Sequence, residues 1–139
     1  MAGNTTPIFS KIGSVQWTTV PVVAANTTTD LTTGTSYLVW TADATNGGFL
    51  KKLRFRALGT NIATVARIWI TNATGPGVAA NSVLFDEVSL AASTLSQTSA
   101  LAIYEIPINE ALDPGYRVYI TLGTAVAAGY SVTGFGGKY

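Results

Sequence analysis

The chain of 139 residues contains no cysteine, no histidine and few charges. Without cysteine there is no disulfide, no thiolate nucleophile and no thiolate metal ligand. Without histidine the commonest metal ligand is missing. So is the side chain that most readily exchanges protons near neutral pH. Most hydrolase mechanisms and most zinc sites are thereby excluded, and no catalytic or cofactor motif stands in their place. Lys, Arg, Asp and Glu together make up 11% of the residues, about half the usual share. The net charge is +1, so no global field steers polyanions. No apolar run approaches the ~20 residues of a membrane span. The opening "MAGNTTPIFSKIGS" lacks the apolar core of a secretory signal. The expectation is a protein made and used in soluble form, with no membrane partner.

What remains is Thr, Asn, Ser and Gly set among short β-branched and aromatic runs. A chain of this size forms one domain and needs no staple. Residues 1–14 read as an extended N-terminal arm with almost no apolar content beyond the pair Ile8 and Phe9. Residues 15–139 read as a β domain. Eight strands are expected, at 14–23, 36–42, 49–58, 62–71, 82–90, 100–108, 115–122 and 129–135. Pro21 marks the first as an edge or a bulge. "NTTTDLTTGT", "DATNGG", "LGTN" and "NATGPGVAAN" are turn and loop compositions. "NEALDPG" has room for a single helical turn. No segment shows a 3.6-residue apolar period. The fold class is all-β: an eight-stranded antiparallel sandwich, most simply a jelly roll of two four-stranded sheets.

One strand stands out. "GFLKKLRFRAL" (48–58) holds four of the eight Lys and Arg residues. Strand alternation puts Lys52, Arg54 and Arg56 on one face with Leu50 and Leu58, and Lys51, Leu53, Phe55 and Ala57 on the other. The plain reading is a solvated sheet face, with the basic stems lying on the sheet. Nucleic-acid binding is disfavoured, because the wider basic surface and the stacking aromatics are missing. A third reading comes from charge order. Between Arg67 and Arg117 there is no Lys or Arg, and that interval holds five of the seven acids, Asp86, Glu87, Glu105, Glu110 and Asp113. In a jelly roll the third strand lies beside the sixth and the fourth beside the fifth. The stripe then faces the chain's own acids, or those of an identical neighbour.

The fourth and sixth strands are apolar on both faces. Arg67 and Trp69 share one side of the fourth; Leu101 and Ile103 share one side of the sixth with Glu105. Such strands point to a subunit interface or to a second face covered by loops or the arm. Trp17, Trp40 and Trp69 with six Tyr offer a possible sugar platform, although aromatics in a sandwich are mostly core. Asp86 and Glu87 point to opposite faces and make a poor Ca²⁺ site. The Gly-rich "GFGGKY" follows no strand-to-helix pattern, so phosphate cradling is rejected.

The stretches "GGFLKKLRFRALGTNIATVARIWITN" and "IPINEALDPGYRVYITLGTAVAAGYSVTGFGGKY" resemble the jelly-roll auxiliary capsid proteins of tailed bacteriophages, the decoration or cement proteins. The resemblance spans roughly residues 36–139. It implies a non-enzymatic virion protein on the capsid exterior, assembled in the host cytoplasm. Its partners would be the major capsid protein and its own copies, commonly as trimers, with the arm aiding attachment. On that reading Ile8, Phe9, Arg54, Arg56, Arg67, Trp69, Leu101, Ile103 and Glu105 are the candidate contact residues. Neither nucleic acid nor a cofactor is implied. The competing class is a carbohydrate-binding or adhesin module of a phage fibre; an enzyme is a distant third.

Overall fold

The computed structural model describes residues 10–139. Eight strands and one 3₁₀ turn (Ala79–Asn81) make up its regular structure. The strands are β1 (Ile12–Trp17), β2 (Tyr37–Thr41), β3 (Gly48–Ala57), β4 (Thr64–Thr71), β5 (Ser82–Leu90), β6 (Ile103–Leu112), β7 (Arg117–Leu122) and β8 (Tyr130–Lys138). They form two antiparallel four-stranded sheets, in the orders β1-β8-β3-β6 and β2-β7-β4-β5. The expected neighbours are present: β3 lies beside β6 and β4 beside β5.

The sheets bury their facing sides against each other. Leu50, Leu53 and Phe55 of β3 meet Ala66 and Ile68 of β4 and Val118, Ile120 and Leu122 of β7 in one apolar core. Trp40 lies at its centre, fully buried. Its ring needs room, which glycine supplies. A Cβ on Gly48 would stand 2.7 Å from the indole, and one on Gly134 or Gly136 3.0 Å from it. The Gly-rich tail is therefore the part of β8 that passes over a tryptophan. The indole N–H donates to the Ser14 carbonyl at 3.3 Å.

Several boundaries differ from the expected ones. β1 begins at Ile12, so the last three residues assigned to the arm belong to the sheet; residues 1–9, with Ile8 and Phe9, lie outside the described residues. β1 also ends at Trp17 rather than 23. Beyond it the Thr18 hydroxyl accepts from the Val132 amide, and the chain touches β8 again only at Val22. Pro21 thus sits in a connector, not in a strand. β6 runs on to Leu112, through an Asn109 in the left-handed region (φ 52), so the "NEALDPG" turn is confined to its end. In β3 a bulge between Leu50 and Lys52 shifts the alternation by one residue. Leu50 consequently enters the core and Lys51 becomes exposed, the reverse of the strict alternation expected.

Part of the outer side of the second sheet, around Trp69 and Tyr119, is covered by the Thr-rich segment. Asn26, itself buried, accepts from the Thr28 amide and donates to the carbonyls of Thr33 and Thr35. That clasp holds Leu31 against Trp69 and Tyr119, a second small core. Of the two explanations for a two-faced fourth strand, its own loop covers it at this point.

Candidate contact face on the first sheet

The outer side of the first sheet carries the basic stripe. β3 presents Lys52, Arg54 and Arg56 there because Leu53 and Phe55 take the core side. β6 presents Ile103 and Glu105, since Tyr104 and Ile106 pack inward. The register puts Arg54 opposite Glu105 and Arg56 opposite Ile103.

Glu105 gathers the centre of the stripe. Its Oε1 accepts from Arg54 Nε at 2.8 Å and Nη2 at 2.6 Å, and its Oε2 accepts from Lys52 Nζ at 3.1 Å. The Arg54 bond, and after it the Lys52 bond, holds the Glu105 carboxyl below its ordinary value. On the other flank the Phe135 ring of β8 lies 5.2 Å from the Arg54 guanidinium and 5.4 Å from the Lys52 ammonium. Cation–π contacts at exposed sites contribute about 0.5–1 kcal/mol. Two cations are thus fixed between one carboxylate and one aromatic face. Arg56 has no ion pair among the described residues.

Around this network the face is apolar and flat. Ile103 is 53% exposed, as are Val15 and Trp17 of β1 to a similar degree. Val15, Phe49 and Phe135 border a shallow depression with Lys51 and Ser10. Such a face offers packing area and a few anchored charges, with no enclosed cleft for a small substrate.

The other candidate residues scatter. Arg67 lies on the outer side of the second sheet, paired with Glu87 at 2.9 Å. Trp69 is 1% exposed beneath Leu31, and its N–H donates to the Thr121 hydroxyl at 3.0 Å, so it offers no surface for contact. Leu101 precedes β6 and lines a separate hollow with Tyr104 and Tyr130. Ile8 and Phe9 are outside the described residues. Asp86 and Glu87 do not converge: Asp86 accepts from the Glu87 amide and Glu87 faces Arg67. Of the three tryptophans only Trp17 is at the surface, so no aromatic row forms.

Val15, Trp17, Phe49 and Phe135 were not singled out by sequence as one face. What was missing was that β8 separates β1 from β3, which brings three sequence-distant strands together. No protein family, no curated protein and no solved structure matches this chain.

Proposed function

We propose that this chain is a non-enzymatic virion protein that decorates the outer surface of a tailed-phage capsid. The observation that carries the reading is the outer face of the first sheet, where exposed apolar side chains surround an Arg54–Glu105–Lys52 cluster in which one carboxylate pairs with two cations. A face of that kind suits a broad protein partner. The strand orders β1-β8-β3-β6 and β2-β7-β4-β5 support reading the sandwich as a jelly roll, in keeping with the family resemblance. The segment preceding β1 acts as the attachment arm on this reading, and the protein associates with itself, as a trimer, as well as with the major capsid protein. The low charge of the chain suits close packing between copies.

The test is binding to heads that lack the protein. Co-sedimentation with undecorated heads is expected, with density on the capsid exterior by cryo-electron microscopy. Deleting residues 1–9 is expected to weaken binding while leaving the melting temperature nearly unchanged. No co-sedimentation with any undecorated head of the source phage overturns the reading.

A second reading, a carbohydrate-binding or adhesin module of a phage fibre, rests on Trp17. That indole is 61% exposed beside the polar Gln16, Thr19 and Ser36. Quenching of tryptophan emission by host surface glycans, without binding to heads, would favour it.

A further inference from the structure

We propose that the free edge of β1 pairs antiparallel with β1 of a second copy, about a two-fold axis at Val15. The two sheets have four open edges, and three are protected. β6 carries Pro107, two acids and the left-handed Asn109. β5 carries Asp86 and Glu87, with a bulge where it meets Ile68 and Trp69. β2 is short, and the Gln16 amide occupies its edge: it accepts from the Thr41 N–H and donates to the Thr41 carbonyl, both at 2.9 Å. β1 has none of these devices. Ile12–Trp17 contains no charge and no proline, and its pairing with β8 is uninterrupted. An exposed, regular, apolar edge is a template for another strand.

The backbone is turned the right way. Thr18 N–H donates to the Val132 carbonyl, and Val22 and Tyr130 exchange two bonds. Antiparallel alternation then directs Ser14 and Gln16 toward β8, and Gly13, Val15 and Trp17 away from it. Among the described residues nothing bonds to the outward groups.

The side chains select the occupant. Self-pairing at Val15 sets Gly13 of each copy opposite Trp17 of the other, and Val15 opposite Val15. Among the described residues, a Cβ added to Gly13 meets no atom within 4 Å, so the surface they leave above it is open. The exposed Trp17 indole of the second copy fills that space, twice over by symmetry. No like charges meet, because Lys11 falls opposite Thr19. At the far end Ser10 falls opposite the second copy's Val20, which is exposed and borders a groove with Leu58. The contact is isologous and joins the two first sheets into one of eight strands. It goes beyond capsid binding and leaves any threefold contact on another face free to form.

The test uses the full chain without capsids. Val15→Cys introduces the only thiol, and hydrogen-bonded antiparallel partners lie about 5.5 Å apart at Cα, within disulfide reach. Mild oxidation is expected to give a covalent dimer that reductant reverses. Ile62→Cys, equally exposed elsewhere, is expected to stay uncross-linked. Val15→Lys and Val15→Glu place like charges across the axis. Each is expected to lower the sedimenting mass, and their mixture to associate about tenfold more tightly than either alone. Absence of the Val15→Cys dimer overturns the proposal, and so does a mixture no tighter than the single variants. If a charged variant fails to fold, the cysteine result decides.

Discussion

Glu105 stands directly across the β3–β6 ladder from Arg54 and accepts two hydrogen bonds from its guanidinium. The pair is long-range in sequence and local in space. It explains why a chain so poor in charge concentrates cations on β3: two of them share one carboxylate on the neighbouring strand. Since β6 is an edge strand, the pair also fixes its register.

Arg54→Glu is therefore expected to lower the melting temperature by repelling Glu105, and a compensating Glu105→Arg to restore part of the loss. Both groups are accessible to solvent, so the coupling is small and shrinks further in high salt. A double-mutant cycle on thermal unfolding at low and high salt measures it. Zero coupling at low salt, together with salt-dependent DNA binding that weakens as each cation is removed, would assign the stripe to nucleic acid instead.

The same pair sets a pH dependence. Glu105 is held below its ordinary value of 4.5, first by Arg54 and then by Lys52. A carboxyl whose folded pKa is depressed stabilises the fold above its unfolded pKa. That contribution is lost as pH falls through the folded value. Asp43, lowered by the Asn46 and Thr45 amides, and Asp30, lowered by the Thr32 hydroxyl, act in the same acid window. Melting temperature is expected to drop as pH falls below the ordinary carboxyl range and through the lower folded values. The gap between wild type and Glu105→Gln is expected to close over that range. A gap that persists unchanged at the acid end would mean that ionisation of Glu105 is not what stabilises the pair.

Strand count and neighbours were legible in the sequence because period-2 patterns and turn residues are local signals. The β3–β6 and β4–β5 pairings came from the expected jelly-roll order, with which the charge order agrees. The face assignment of Leu50 and Lys51 was not legible, because a single bulge reverses alternation without any marking residue. Trp69 read as a surface contact since its own strand is apolar on both sides. What buries it is Leu31, a lone apolar residue in a loop of threonines that Asn26 clasps from within, and that loop reaches Trp69 only in the folded chain. The outer face of the first sheet depends on strand order, which no single strand encodes.

Leu31 tests that loop. It is 3% exposed and adopts φ 57, a conformation a leucine tolerates only where its side chain is held. Leu31→Ala is expected to cost about 2–5 kcal/mol, the usual range for a leucine truncated at a buried site. Trp69 would then be uncovered, and its emission is expected to shift to the red, whereas Leu31→Met is expected to retain both stability and spectrum. A loss below about 1 kcal/mol with unchanged emission would show that the loop contributes little to covering the second sheet.

Tyr130 presents the opposite case, a polar atom that the core holds without a partner. Its ring is fully buried between the sheets, and its main chain exchanges two hydrogen bonds with Val22. The hydroxyl has no hydrogen-bond partner among the described residues. Burial raises its pKa above the ordinary 10. An unmet hydroxyl costs the fold about 1–3 kcal/mol in lost hydration. Tyr130→Phe keeps the ring and removes that cost, so equal or greater stability is expected in denaturant unfolding. The pH response follows the same logic. A tyrosine whose folded pKa is raised stays protonated in the fold while the unfolded chain ionises. Stability is then lost as pH rises past the unfolded value near 10. Above that pH the wild type is expected to lose more stability than Tyr130→Phe. Should the phenylalanine variant be less stable at neutral pH by more than about 1 kcal/mol, the hydroxyl is making a hydrogen bond, and the hollow it shares with Tyr104 and Leu101 holds the acceptor.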